Sequence, residues 1–235
     1  MKKFFAPALA ILMLAASLSV APPAAKAQGP GMISSILNKM DRNRRTLGSL
    51  RAAVHMQKYN AQLRMSEDQF GDVQYVAAKG RDANVRLDWK RPVQEVLAVS
   101  GGQYKLYRPR LRQILEGSTK NIKGGNGKAN NVLGMALNMS SAQAKNQFNV
   151  ELVGEGELYS GSPHVWWLKL TPRGGASYQF AEIWVGDDGM PIQTRVTEKN
   201  GDATTVRLTN IQRNPNIPMD VFNFAPPEGT KVVRG

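Results

Sequence analysis

From Leu50 onward, apolar residues recur at every second position. Leu50, Ala52, Val54 and Met56 alternate with Arg51, Ala53, His55 and Gln57. Val73, Tyr75 and Ala77 repeat the pattern, as do Val85, Leu87 and Trp89 against Arg86, Asp88 and Lys90. A period of two puts one set of side chains on each face of a strand. Further strands are predicted at Val96–Val99 and Tyr104–Tyr107, with Ser100-Gly101-Gly102 as their turn, and over 148–152, 165–171, 178–185, 192–198 and 204–212. Asp187-Asp188-Gly189 and Asn200-Gly201-Asp202 have the composition of hairpin turns. The stretch Phe222–Pro227 reads as extended, and Val232-Val233 as an added edge strand. A sheet of about nine to eleven antiparallel strands has to curl or close to hide an apolar face.

Two stretches depart from that period. Ile33, Ile36, Leu37 and Met40 form a helical stripe, which the spacing ends in the charged turn Asp41–Arg45 and stops at Gly48. Between Gln113 and Gln147 a Gly-rich link, Gly124-Gly125-Asn126-Gly127, leads into a second helical pattern. There Val132, Leu133, Ala136 and Leu137 share a stripe, with Met135 and Met139 at its border. The expected fold is mainly β (α+β): an unclosed antiparallel β-barrel or strongly curved sheet with an N-terminal helix and a helical lid.

Residues 1–27 read as a cleaved signal peptide. Lys2 and Lys3 precede an apolar run from Phe4 to Val20, and Pro22, Pro23 and Ala25-Lys26-Ala27 supply a breaker and a cleavage site. The mature chain is expected to begin at Gln28 and to form one domain over 28–235, exported and soluble. The chain has no cysteine, so disulfides, thiolate metal sites and a lipid-modified N-terminal cysteine are excluded. The formal charge is +13, and removing Lys2, Lys3 and Lys26 leaves 13 − 3 = +10. Such a charge favours anionic partners, here transient contact with an anionic membrane surface. No basic run with interleaved aromatics points to nucleic acid.

Catalytic signals are weak. Two histidines, His55 and His164, make a poor metal set without cysteine. Gly161-Ser162 lacks the nucleophile-elbow pattern, and Glu155 and Glu157 flank glycines in an expected loop. Gly-Gly-Asn-Gly-Lys at 124–128 lacks the spacing and the hydroxyl of a phosphate loop. No cofactor, no metal and no enzymatic activity are expected.

Several motifs follow one another along the chain. The first is Gly80-Arg81-Asp82-Ala83-Asn84-Val85-Arg86-Leu87-Asp88-Trp89 followed by Pro92. Next come Leu97–Gly102 with Leu106-Tyr107-Arg108-Pro109, then Trp184–Gly189. Asn214–Pro218, Phe222-Asn223-Phe224 and Pro226–Val232 come last. In this order they resemble the motifs of periplasmic outer-membrane lipoprotein carrier proteins, the last three matching the closing signature. Ser100-Gly101 departs from the usual Asp-Gly, and the link at 124–127 has no counterpart. The resemblance implies a monomeric periplasmic chaperone that binds lipoprotein acyl chains, or another lipid, and ferries them from an inner-membrane release complex to an outer-membrane acceptor. A sensing module on the same scaffold, without transport, is the alternative. The residues assigned to the acyl cavity are Val85, Leu87, Trp89, Leu97, Val99, Phe180 and Trp184. Those assigned to latching the lid are Arg81 and Arg86, and to the lid itself Val132, Leu133, Ala136 and Leu137.

Overall fold

The computed structural model describes residues 30–78, 83–119, 132, 134, 135 and 137–234. Helix α1 (Pro30–Thr46) is followed by strands β1 (Ser49–Asn60), β2 (Met65–Val76), β3 (Asn84–Arg91), β4 (Glu95–Ser100), β5 (Gln103–Arg108) and β6 (Gln113–Ser118). Helical residues around 132–138 and a short helix α2 (Ser141–Gln147) come next. Strands β7 (Phe148–Glu157), β8 (His164–Pro172), β9 (Tyr178–Gly186), β10 (Pro191–Glu198), β11 (Ala203–Arg213) and β12 (Lys231–Arg234) complete the order.

All the strands join one curved, unclosed sheet of 12, in the order β12-β6-β5-β4-β3-β2-β1-β11-β10-β9-β8-β7. Two runs of consecutive hairpins meet at the β1–β11 seam, where His55 pairs with Arg207 and Val54 with Leu208. All pairings are antiparallel except that of β12 with β6.

The inner face carries two apolar clusters. One gathers Leu50, Val54, Met56, Val73, Leu87 and Leu97 with Val132 and Leu137 from the segment after β6. The other packs Ile36, Leu37 and Met40 of α1 against Leu168, Leu170, Ile183 and Val185. Burial of this kind contributes about 25 cal/mol per Å2 of apolar surface, which is what holds a helix against a sheet that has no second layer.

Three local predictions are corrected. Helix α1 does not end at Asp41–Arg45 but runs through it, because Asp41 pairs with Arg44 at 2.9 Å and with Arg45 at 2.7 Å one turn on. Its end is closed by Asn214, which donates to the Thr46 carbonyl at 3.1 Å and accepts from the Gly48 amide at 2.8 Å. Strand β6 has no alternation because both of its faces are covered. Leu115 packs on the inner cluster, while Ile114, fully buried, belongs to the outer face. Glu155 and Glu157 lie on β7 rather than in a loop, exposed and alternating with Gly154 and Gly156.

The β9–β10 turn sits directly on α1. Gly189 has φ of 82°, and a Cβ there would overlap the Lys39 carbonyl. On the outer face, the stretch 214–230 crosses β3 to β5 as a strap: Phe222 is buried, and Lys105 Nζ donates to Asn223 Oδ1 at 2.9 Å. The strap includes a 3-10 turn at Met219–Phe222, where an extended stretch was expected to begin.

Candidate functional site

The apolar face of β1 to β5 is the surface that the sequence assigned to cargo. Val85, Leu87, Trp89, Leu97 and Val99 lie side by side on it, since Val85 pairs with Val99 and Leu87 with Leu97. They are sealed: Leu87 is 0% and Leu97 3% exposed. Val132 and Leu137 close over them from the lid segment, 5% and 4% exposed. The other residues named for the lid, Leu133 and Ala136, and the expected latch Arg81, lie outside the described residues, as do the Gly-rich link and the signal peptide.

Two assignments are corrected by strand parity. Phe180 and Trp184 were expected in the cavity, but Ala181, Ile183 and Val185 are the inward residues of β9. Trp184 stacks on Trp167 of β8 at 5.3 Å between centroids, and Lys169 lies 4.6 Å over the Phe180 ring. Both rings are on the outer face. Arg86 is also outward. It donates to Asp88 at 2.8 Å and to the Val221 carbonyl at 2.9 Å, and lies 5.3 Å from the Phe224 ring. It latches the strap and not the lid. An arginine on an alternating strand shares a face with residues two away, and here that face is opposite Leu87.

The lid has a different tie, which pattern reading missed. Tyr75 of β2 donates its hydroxyl to Asn138 Oδ1 at 3.1 Å. Burial pushes the Tyr75 pKa up from its ordinary value, with Arg44 pulling weakly the other way, so the phenol stays protonated as a donor. A second feature is also invisible in the sequence. The Trp89 indole Nε1 is buried on the inner face and has no hydrogen-bond partner among the described residues. An apolar surface with one spare donor suits a chain of methylenes that ends at a carbonyl oxygen.

Past the lid, Ser140 caps α2. Its side chain accepts from the Gln143 amide at 3.1 Å, and the Gln143 side chain accepts from the Ser140 amide at 3.0 Å. The lid segment therefore meets a fixed helix start. Among the described residues no helix is long and apolar enough to cross a membrane, and no group of three or more His, Cys, Asp or Glu is placed to hold a metal.

Known proteins are similar to this chain in sequence and in fold. Residues 78–225 match the family model described as outer membrane lipoprotein carrier protein LolA. The outer-membrane lipoprotein carrier protein of Dechloromonas aromatica is 25% identical over 157 residues, covering 66% of this chain and 69% of that protein. That of Bordetella avium is 26% identical over 145 residues, covering 61% of this chain and 63% of its own length. Among solved structures, a conserved, uncharacterized protein of Thermus thermophilus aligns with a TM-score of 0.53 at 14% identity, covering 87% of this chain and 99% of that one. MucB aligns with a TM-score of 0.55 at 14% identity, covering 84% and 64%. At that identity the two structures speak for the fold alone. The family model spans more than half of the chain, from just after β2 through β11 and into the strap, including Val85, Leu87, Trp89, Leu97 and Val99, and the chain belongs to the outer membrane lipoprotein carrier protein family.

Proposed function

We propose that the protein is a soluble periplasmic carrier that takes the acyl chains of lipoproteins, or a related lipid, onto the inner face of β1 to β5. The observation that carries this reading is the closure of that face. A wide apolar surface is covered by Val132 and Leu137, and Asn138 beside them is tied to the sheet by the hydrogen bond from Tyr75. Leaving a sixteen-carbon chain in water costs about 12 kcal/mol at ~0.8 kcal/mol per methylene. A side-chain hydrogen bond contributes only ~1 kcal/mol. An arriving acyl chain therefore outcompetes the tie, while the apolar lid residues it displaces offset part of the gain and keep release feasible. The carrier works without catalysis: binding energy alone opens and closes it.

The test has two parts. Purified protein should strip a labelled lipoprotein from inner-membrane vesicles and bind a long-chain acyl fluorophore. Leu87→Asp or Leu97→Asp puts a carboxylate among apolar walls and should abolish probe binding. A folded variant that binds like the wild type would remove those residues from the site.

The sensing alternative keeps the same apolar inner face and omits transport. A sensor would bind the fluorophore yet leave the labelled lipoprotein on the vesicle.

A further inference from the structure

The outer face of the sheet carries a row of side chains that the lid side does not use. Register places Arg91 opposite Phe70, Phe70 opposite His55, His55 opposite Arg207, and Arg207 opposite Gln193. The row crosses five neighbouring strands, β3-β2-β1-β11-β10, on the outer face, which Arg91 reaches through a bulge in β3 between Trp89 and Arg91. Its members hold one another in place. The Arg91 guanidinium lies 5.0 Å from the Phe70 ring, which stacks on His55 at 4.4 Å with only 4° between planes. Arg207 donates through Nε to Gln193 Oε1 at 2.7 Å and lies 5.6 Å from the Tyr159 ring.

Tyr159 comes from the β7–β8 loop, which is folded for the purpose. Ser162 Oγ accepts from the Leu158 and Tyr159 amides at 2.8 and 3.2 Å. Between these groups lies an open groove of about 450 Å3, lined in part by His55, Phe70, Lys90, Arg91, Tyr159 and Arg207.

The charges of this groove are unbalanced. Several outward cations elsewhere are neutralised: Arg86 by Asp88, Arg195 by Glu182, Arg213 by Asp188. Within the groove Lys90 is taken by Asp72, and His55 contacts Asp68. Arg91 and Arg207 have no carboxylate partner among the described residues. Each lies over a ring face, and Arg207 is also held by its Nε, so neither guanidinium spends its terminal nitrogens on a carboxylate among the described residues.

We propose that this groove docks the protein on the phosphoryl headgroups of an anionic lipid surface. Three features favour that occupant. The two arginines stand three strand spacings apart, about 14 Å between backbones, which suits a surface bearing many phosphates better than a single ion. Phe70 and Tyr159 are 37% and 47% exposed, the half-wet aromatic setting that suits a headgroup layer. The sheet face offers no free backbone donors to a peptide, because the ladder uses them. The lid lies on the opposite face, so docking leaves the cargo side open to solvent.

The experiment is vesicle co-sedimentation of the full mature chain. The vesicles are phosphatidylcholine alone, or phosphatidylcholine with phosphatidylglycerol at roughly one part in three. Wild type should partition onto the anionic vesicles only. Arg91→Gln and Arg207→Gln should each weaken partition about fivefold, and together about 25-fold. The same charge removed on β12, in Lys231→Gln with Arg234→Gln, should change it far less. Acyl-probe binding should be unaffected in all variants, and unchanged thermal unfolding of Arg91→Gln excludes a folding defect. Equal losses in the β12 control would reduce the effect to net charge and overturn the site. Full displacement by millimolar inorganic phosphate, or tighter binding of an acidic peptide than of the vesicles, would overturn the lipid surface as occupant.

Discussion

The Trp89 N–H sits in an apolar wall with nothing described to accept it, and an unmet buried donor costs about 1–3 kcal/mol. If the wall receives acyl chains, the ester or amide carbonyl at their head is the natural acceptor. Trp89→Phe should therefore bind an alkane probe nearly as well as before but lose about three- to tenfold of the preference for the matching methyl ester. Competition titration of the two probes measures it, and a preserved preference would leave the indole without that role. Trp89 was legible as an inward residue because Val85, Leu87 and Trp89 alternate cleanly with charges. Its lonely donor was not legible, since hydrogen-bond satisfaction depends on neighbours far away in the chain. The Tyr75–Asn138 tie was hidden for the same reason. Phe180 and Trp184 misled because both faces of β9 are apolar. The inward set includes Ala181, whose small side chain says little, while the outward set shows two large rings. Period alone cannot choose between two apolar faces.

Among the elements, α1 shows how local charge overrides a stop signal. Asp-Arg-Asn-Arg-Arg reads as a polar turn until its spacing is set on a helix, where Asp41 reaches both Arg44 and Arg45. Burial works to raise the Asp41 pKa, but the hydrogen bonds and charges of the two arginines outweigh it and hold it below its usual 3.8. A depressed native pKa adds stability that is present above the unfolded value and is lost as pH falls through the native one. Asp41→Asn should lower Tm by about 1–3 °C at neutral pH. The gap should close as the pH is taken below 3.8 and through the native value, followed by calorimetry across that range. A gap that persists in acid would mean the carboxylate acts through packing alone. Most strands were readable because one face stays polar. Strand β6 was not, as Ile114 and Leu115 are both apolar on opposite faces. Its outer cover, the strap, lies about a hundred residues away along the chain.

For the whole molecule, the curved sheet with a helix at its start and a helical segment over its middle was legible, because a long run of half-apolar strands has few other ways to bury one side. The division of that inner face was not. One half is covered by α1 and the other by the lid segment, and only packing decides which piece covers which half. Export is the expectation at this scale. N-terminal sequencing of the protein recovered from the periplasm should begin at Gln28; recovery with Lys2 and Lys3 intact on a membrane-bound product would rule cleavage out.

The β1–β11 seam bears on how such a chain survives its own delivery. On the expected export route the chain would emerge in order, so β1 could pair with β2 at once, while its other edge would wait for β11, which emerges far later. Throughout that interval an edge of twelve residues stays open to pairing with any extended chain nearby. Arg51 on its outward face and Lys58 near its far end then set like charge against like on neighbouring copies of the same chain. The inward Leu50, Val54 and Met56 add an apolar face to that open edge, so crowding of half-delivered chains would favour their pairing with one another.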